Sequence, residues 1–203
     1  DHIVRMSAYC TLMAEKYGLA DESVKLIQYA SPMHDIGKIG IPDHILIKPG
    51  RLTAEEFEII KSHTTIGGKI LADSRAEVLK AAHEIAMTHH EKWDGSGYPR
   101  GLSGQDIPIT GRIVGIADIF DALTSKRPYK EPYPVEVAVE IIRSEQGIKL
   151  DPDLVEVFIS NVDEVEKIRH TVGQIENASL ADFIWSERDR AENIDSLITP
   201  RLR

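Results

Sequence analysis

The sequence contains a single cysteine, Cys10, so an intrachain disulfide framework is excluded. One cysteine in 203 residues is consistent with a reducing compartment. Because Cys10 lies in a helix-like stretch, we expect it to pack in the core rather than to bind metal. We expect no signal peptide, and no apolar run approaches the roughly 20 residues that span a bilayer. We therefore expect this segment to make no membrane contact.

Positive charge is scarce as well. The 24 Lys and Arg residues are outnumbered by 33 Asp and Glu residues, which gives a formal net charge of −9. Nonspecific nucleic-acid binding depends on the neutralisation of many phosphates by cationic side chains. DNA is therefore excluded as an expected partner. A small anionic substrate stays compatible with this charge, because bound metal cations reverse the local sign of the field.

Convincing β patterns, internal repeats and low-complexity segments are missing, whereas helix signals run through most of the chain. Apolar periodicity and capping residues predict helices at about residues 3–17, 75–90 and 110–125. Thr53 and Glu56 match a capping box at the start of another helix, and His63 is expected within it or near its end. Pro134 and Pro152 suit the first turns of two more helices. The sequence therefore predicts an all-α fold.

Histidine and aspartate recur inside or at the ends of these helix-like segments. The set consists of His2, His34, Asp35, His63, His89, His90 and Asp118. Imidazole suits late first-row metals and carboxylate suits harder cations, so the mixture indicates Fe, Mn or Zn rather than Ca or Mg alone. Asp118 is informative because a carboxylate among apolar neighbours needs a cation or hydrogen-bond donors. A metal site is the better interpretation of the whole set.

Two of these pairs predict more than one metal ion. Neighbouring side chains on a helix diverge by about 100°. His34 and Asp35 should therefore contact different ions, or combine a terminal with a bridging role, and the same holds for His89 and His90. We expect Asp121 to have a structural role, as a helix cap or in a salt bridge. Three other histidines are expected to be structural or surface residues: His44, His83 and His170.

With their flanking segments, these residues resemble the HD-GYP branch of the HD-domain phosphohydrolases. The matching segments are residues 34–38 (His-Asp-Ile-Gly-Lys), 89–99 (His-His to Gly-Tyr-Pro), 117–124 and 127–130. The resemblance covers about residues 1–162 and implies an HD-type multi-helix bundle. Residues 163–203 are predicted to form a helical C-terminal appendage. Because the chain begins at Asp1 rather than Met, we expect an N-terminally truncated domain without its upstream regulatory domain.

The resemblance implies a cytoplasmic phosphodiesterase that hydrolyses cyclic di-GMP to pGpG, and could go on to GMP, through a metal-bridging hydroxide. By position it assigns seven metal ligands: His2, His34, Asp35, His63, His89, His90 and Asp118. Asp35 would bridge two ions, and His2 would serve a third in trinuclear members. We expect two or three divalent ions, iron or manganese first, with zinc or nickel as alternatives.

The same resemblance implies contacts to the substrate. Lys38, Arg127 and Lys130 would bind the phosphates, and Lys38 would assist catalysis beside Asp35. A loop that contains Gly97, Tyr98 and Pro99 would flank the substrate or dock a diguanylate cyclase domain. Within it, Tyr98 could stack on a base or pack inside the loop.

Alternatives stay open from the residues alone. Another cyclic dinucleotide, such as cyclic GMP-AMP, fits the same motifs. The chain could also be a catalytically inactive module that binds the dinucleotide or acts as a scaffold, although degeneration usually removes ligands and all matching positions here are filled. Apolar faces of the first helix and of the tail could support a homodimer or internal packing.

Overall fold

A computed structural model describes residues 2–126 and 131–174 of the chain. These residues form the helices α1 His2–Tyr17, α2 Asp21–Ala30, α3 Asp43–Leu46, α4 Ala54–Lys61, α5 His63–Leu71, α6 Glu77–Thr88, α7 Ile109–Thr124, α8 Val135–Ser144, α9 Pro152–Ser160 and α10 Val162–Gln174. Short 3₁₀ segments lie at Ser31–Met33, Ile36–Gly40 and Gly104–Asp106. No strand occurs within the described ranges. The predicted all-α fold is confirmed.

The core of the bundle lies around α1 and α7. Helix α1 contacts α2, α7, α9 and α10, and α7 also contacts α6 and α8. Three buried aromatic rings link these helices. The ring centroid of Phe120 lies 5.5 Å from that of Tyr9 and 5.1 Å from that of Phe158. Full burial of a side chain such as Phe120 contributes about 1.5–3 kcal/mol. This packing fixes the relative positions of the helices that carry the His and Asp residues.

Several helix ends follow the sequence signals. Helix α1 ends at Tyr17, and the next residue, Gly18, has a φ of 87°, which glycine adopts without steric cost. Thr53 and Glu56 form both hydrogen bonds of the capping box at α4. The carboxylate of Asp151 accepts hydrogen bonds from the first N–H groups of α9.

The predicted position of His63 within α4 or near its end differs from the structure. Helix α4 ends at Lys61, and His63 is the first residue of α5. The side chains of residues 63–65 each hydrogen-bond to the carbonyl three residues earlier. Such local side-chain bonds compete with the main-chain helical bonds and favour a change of direction. His63 consequently faces inwards at the start of a new helix.

Helix α10 is the part of the predicted tail that the structure describes. It packs against α1, with Val165 and Val172 buried. The predicted boundary at residue 162 stays a prediction, and residues 175–203 lie outside the described ranges. In residues 2–126 and 131–174, no helix has both the length and the apolar character that crossing a membrane requires.

Candidate metal centre

The 3₁₀ segment Ile36–Gly40 places Asp35 against α5. A Cβ atom on Gly37 would lie 1.9 Å from the carbonyl oxygen of His63 and 2.4 Å from the backbone nitrogen of Gly67. Those are backbone atoms, which cannot move as easily as the end of a flexible side chain. Glycine at position 37 therefore permits the close approach that sets Asp35 beside His63.

Four side chains form a first donor group: Asp35, His63, His89 and His90. One ligand atom from each lies within 4.8 Å of the others. Asp35 Oδ1 is 3.3 Å from His63 Nε2 and 3.8 Å from His89 Nε2. The two Nε2 atoms of His63 and His89 are 3.4 Å apart. Nitrogen and oxygen donors thus converge on a small volume.

Backbone carbonyls fix the orientation of three imidazoles. In each, Nδ1 contacts a carbonyl oxygen three or four residues earlier, at 2.8 Å for His34, 2.6 Å for His63 and 3.0 Å for His89. Because a carbonyl can only accept, Nδ1 carries the proton in all three rings, and Nε2 presents a lone pair when the ring is neutral. A metal-binding histidine normally donates its other ring N–H in this way. The Nε2 lone pairs of His63 and His89 point into the candidate centre. His34 Nε2 lies 3.4 Å from Asp35 Oδ2, and although burial opposes it, the neighbouring carboxylate of Asp35 raises the pKa of His34.

Buried polar atoms in this centre fit the presence of a cation. His34 Nε2 and Asp35 Oδ1 are buried and have no hydrogen-bond partner among the described residues. An unsatisfied buried polar atom costs about 1–3 kcal/mol, and the facing lone pairs of His63 and His89 repel each other. Cations between these atoms would remove both penalties. Neutral imidazoles with carboxylates suit iron, manganese or zinc.

A second donor group consists of His2, His34 and Asp118, whose ligand atoms also lie within 4.8 Å of one another. His2 Nδ1 donates to Asp121 Oδ2 at 2.7 Å, which orients the ring. Asp121 is held in turn by Arg5, whose Nε is 2.5 Å from Asp121 Oδ1. Asp121 therefore forms a salt bridge, one of the two structural roles that the sequence predicted for it. Arg5 was missed, although its spacing of three from His2 on one helix was an available signal.

Burial and neighbouring charge set protonation states that suit metal binding. Burial lowers the pKa of His89 strongly, and burial together with the nearby His63 lowers the pKa of His90 to about 3. These imidazoles are neutral near pH 7, which is the form that binds metal. Burial opposes the ionisation of Asp35, but the neighbouring His34 and Lys38 outweigh it and hold its pKa well below the usual range.

The sequence predicted that the side chains of His89 and His90 diverge as neighbours on a helix, but in the structure they lie together. Both belong to the first donor group, and their ring centroids are 4.0 Å apart. Helix α6 ends at Thr88, two residues before the predicted end at His90. The 100° divergence applies only inside a helix, so it does not govern this pair. His34 and Asp35, by contrast, fall in different groups, as expected for adjacent ligands.

The Gly-Tyr-Pro loop lies directly beside the first donor group. The Tyr98 N–H donates to the His90 carbonyl at 3.2 Å, and the two rings are 4.8 Å apart. A Cβ on Gly97 would lie 2.4 Å from the backbone nitrogen of Lys92, so glycine permits this tight path. Pro99, like its two predecessors, is partly buried.

The Glu91 side chain holds the Gly-Tyr-Pro loop through hydrogen bonds. Its buried carboxylate accepts hydrogen bonds from the N–H groups of Arg100 at 2.8 Å and Leu102 at 3.0 Å. Sequence reasoning missed Glu91, and its position next to the double histidine was the available signal. Because one carboxylate satisfies two loop amides, it fixes the loop over the metal centre.

Lys38 is the one predicted phosphate contact that falls within the described residues, and it lies beside the first donor group. Lys38 Nζ forms an ion pair with Asp35 Oδ2, three residues earlier. Arg127 and Lys130 lie outside the described residues. Cys10, which the sequence predicted to pack in the core rather than to bind metal, is buried, and burial raises the pKa of its thiol to about 12.

An all-helical bundle with two adjacent His/Asp groups defines a class of metal-binding helical domains. The HD domain family model matches residues 2–154. The chain belongs to the HD domain family, whose members are metal-dependent phosphohydrolases. The family predicted from the sequence motifs is thus confirmed.

Curated relatives are similar over most of this chain. It is 52% identical over 167 residues to a cyclic di-GMP phosphodiesterase of Thermotoga maritima, which covers 82% of this chain and 45% of the relative. It is 49% identical over 168 residues to 3'3'-cGAMP-specific phosphodiesterase 2 of Vibrio cholerae, with 83% and 32% covered. This chain spans less than half the length of either relative.

Solved structures are similar in fold. An HDG"Y"P protein from Bdellovibrio bacteriovorus superposes with a TM-score of 0.63 at 20% identity, over 80% of this chain and 51% of that one. A cyclic GMP-AMP specific phosphodiesterase of Vibrio cholerae gives a TM-score of 0.59 at 18% identity, over 90% and 50%. Identities this low establish the shared fold, and the predicted HD-type bundle is confirmed.

Proposed function

We propose that this chain is the catalytic part of a metal-dependent phosphodiesterase that hydrolyses cyclic di-GMP to pGpG, with further cleavage to GMP. The observation that carries the proposal is the meeting of two His/Asp donor groups at the adjacent residues His34 and Asp35. The 52% identity to a relative named cyclic di-GMP phosphodiesterase supports this substrate.

The two donor groups are proposed to hold divalent metal ions. One ion would be bound by Asp35, His63, His89 and His90, and another by His2, His34 and Asp118. A third ion is compatible with the proposal. Iron or manganese is the proposed metal, and zinc or nickel would also suit the donors. When bound, the ions supply Lewis acidity and lower the pKa of water.

The residues of this chain position the substrate and stabilise its charge. The carboxylate of Asp35 lies between the two groups and would bridge them. Lys38 carries its ammonium to the edge of the centre, where it would offset phosphate charge and donate a hydrogen bond to the departing ribose 3′-oxygen. Arg127 and Lys130 are proposed to bind the phosphates as the sequence predicted.

Product analysis with metal-loaded protein tests this proposal. The full chain is purified and loaded with iron or manganese under anaerobic conditions, because iron in such centres oxidises readily. Incubation with cyclic di-GMP should yield pGpG in a metal-dependent reaction that chelation abolishes. Metal-replete protein that binds cyclic di-GMP but releases no product would instead support the inactive binding or scaffolding module.

Cyclic GMP-AMP is the second candidate substrate. The specific observation in its favour is the 49% identity to a relative named as specific for 3'3'-cGAMP. The two donor groups act on the phosphodiester and do not distinguish the bases. A panel of cyclic dinucleotides, with the products separated by chromatography, distinguishes the two candidates by their relative kcat/KM values.

The predicted partners and location are proposals of the same kind. A diguanylate cyclase domain would dock on the Gly-Tyr-Pro loop, and an upstream regulatory domain would control the activity in the longer protein. A homodimer and a cytoplasmic location complete the proposal. Light scattering of the purified chain tests the homodimer, and pull-down with a cyclase domain tests the docking contact.

A further inference from the structure

Helix α4 carries an aromatic and a cationic side chain beside the metal centre. The Phe57 side chain is half exposed, and its ring meets that of Tyr98 at a centroid distance of 6.4 Å and an angle of 83°. Lys61 Nζ lies 5.6 Å from both ring centroids. Two π faces and one ammonium group thus form a compact cluster, here called the α4 rim, defined by Phe57, Lys61 and Tyr98.

The α4 rim is continuous with the first donor group. Tyr98 stands 4.8 Å from the ring of His90 and 6.5 Å from the ring of His63. His90, Tyr98 and Phe57 therefore follow one another from the centre towards solvent. A substrate whose phosphate occupies the metal centre would direct a base along this series of rings.

We propose that the α4 rim is a guanine-recognition subsite, in which one aromatic ring stacks on the base, the other ring, nearly perpendicular to it, contacts the base edge, and Lys61 selects guanine over adenine. The subsite presupposes the proposed function, because it places a cyclic dinucleotide at the metal centre. Stacking on aromatic rings tolerates every base, so Phe57 and Tyr98 supply affinity. Selectivity requires a group that distinguishes donors from acceptors on the base edge.

Lys61 has the chemistry that this distinction requires. An ammonium group carries three donors and no acceptor. Guanine presents two adjacent acceptors, O6 and N7, whereas adenine presents N7 beside an amino donor. The ammonium can donate to both guanine atoms, but it meets a like donor on adenine. Lys61 would therefore favour guanine.

Glu58 completes the polar side of the subsite. Its Oε1 lies 2.6 Å from Lys61 Nζ, and its side chain is 69% exposed. The Lys61 side chain is 26% exposed, and an ion pair with a partner this exposed is weak, so a ligand that enters the cluster can compete with Glu58 for the ammonium. A carboxylate only accepts hydrogen bonds, which suits the N–H donors on the Watson–Crick edge of guanine. Lys61 thus offers donors for O6 and N7 of guanine, and the neighbouring Glu58 offers acceptors for its N–H groups.

The prediction concerns a ranking of substrates. Cyclic di-GMP and cyclic GMP-AMP both offer a guanine to the α4 rim, whereas cyclic di-AMP offers none. Relatives named for the first two substrates are both about half identical to this chain. We expect cyclic di-GMP and cyclic GMP-AMP to be used and cyclic di-AMP to be disfavoured through a higher KM.

The test measures kcat and KM of the metal-loaded full chain for all three cyclic dinucleotides. Lys61→Met removes the charge at similar length, and it should lower the preference for cyclic di-GMP over cyclic di-AMP about tenfold, mainly through KM. Lys61→Arg keeps the donors and should keep the preference. Phe57→Ala should raise KM for all three substrates about tenfold and leave the preference unchanged.

Lys80→Met is the matched control. Lys80 pairs with Glu77 three residues earlier, at 2.7 Å, on the exposed surface of α6, which matches the spacing of the Lys61 pair away from the metal centre. This variant should leave both kcat and the preference unchanged. Circular dichroism and metal content should be the same in all four variants, so that a change in preference is not a change in folding.

Two results would overturn the subsite. One is a wild-type ranking that does not depend on the base, or a preference in Lys61→Met that is as strong as in the wild type. The other is an equal loss on all three substrates in Lys61→Met, which would place Lys61 on a phosphate. If the wild type cleaves none of them, calorimetry with the same compounds gives the ranking from binding alone. Guanine-selective, Lys61-dependent binding without any product would then refute the proposed function and keep the subsite.

Discussion

The two donor groups are built in different ways. In the first, the side chains of His63 and His89 are almost completely buried, and backbone carbonyls of their own helical turns orient them. In the second, the His2 side chain is 41% exposed and is oriented by Asp121, which is 119 residues away along the chain. His63 and His89 of the first group are therefore fixed by local structure, as His34 of the second group is, whereas His2 of the second group depends on a long-range ion pair. We expect the second group to bind its ion more weakly.

Loss of Asp35 should have the largest effect, because its carboxylate belongs to the first group and adjoins the second. Asp35→Ala should abolish cyclic di-GMP hydrolysis and strongly reduce bound metal. Product chromatography and elemental analysis measure the two effects. Asp153→Ala, at an exposed position in the first turn of α9, is the control and should change neither. Full activity in Asp35→Ala would rule out its assigned role.

A side chain at position 37 should disrupt the first group through the backbone. Gly37→Ala forces Ile36–Gly40 away from α5, because the new Cβ would overlap backbone atoms. We expect the free energy of unfolding to fall by about 1–3 kcal/mol, with loss of metal from the first group. Chemical denaturation and metal analysis measure this. Gly40→Ala meets only the flexible Ile66 side chain and should cost less; equal costs would contradict the close-approach explanation.

Removal of the long-range ion pair should affect the second group alone. Asp121→Asn weakens the orientation of His2, and loss of such an outer partner typically lowers metal affinity 10–100-fold. One ion per chain should then dissociate on mild chelation while the other is retained. Metal titration with a competing chelator measures both affinities. Equal weakening of the two ions would show that the groups are not independent.

Acid should destabilise the metal-free protein through the first group. The folded-state pKa values of His89 and His90 lie below their ordinary value of 6.5, and that of His90 is about 3. The unfolded chain therefore binds more protons below about pH 6.5, and folding stability falls as the pH decreases from there towards 3. Melting temperatures across this range, with a chelator present, measure the slope. His90→Gln should reduce the slope, and an unchanged slope would contradict this origin.

The side chains that the sequence motifs predicted as metal ligands lie together in the structure, and their role as ligands stays a prediction. Spaced His and Asp residues, together with the resemblance to a known family, predicted all seven side chains that the two groups contain. Helices were also predictable, because periodicity and capping are local properties of the chain. The capping box at Thr53 and the helix stop at Gly18 are examples.

Other features were missed because they depend on where a helix ends or on which segments pack together. Helix α6 ends at Thr88, so His89 and His90 lie in one group. A helix that continued to His90 would have pointed their side chains in different directions. Arg5 reaches Asp121 only because α1 packs on α7. Likewise, Lys61 meets Tyr98 only because α4 and the Gly-Tyr-Pro loop come together. Each of these contacts is a product of packing rather than of local pattern.

Anomalous X-ray scattering from crystals of the metal-loaded chain tests the central claim most directly. Data collected on either side of the metal absorption edge locate each ion without assumptions about its ligands. We predict one peak among Asp35, His63, His89 and His90, and a neighbouring peak among His2, His34 and Asp118. Fully loaded crystals with no peak at either group, or with peaks only elsewhere, would contradict the metal centre and the hydrolysis that depends on it.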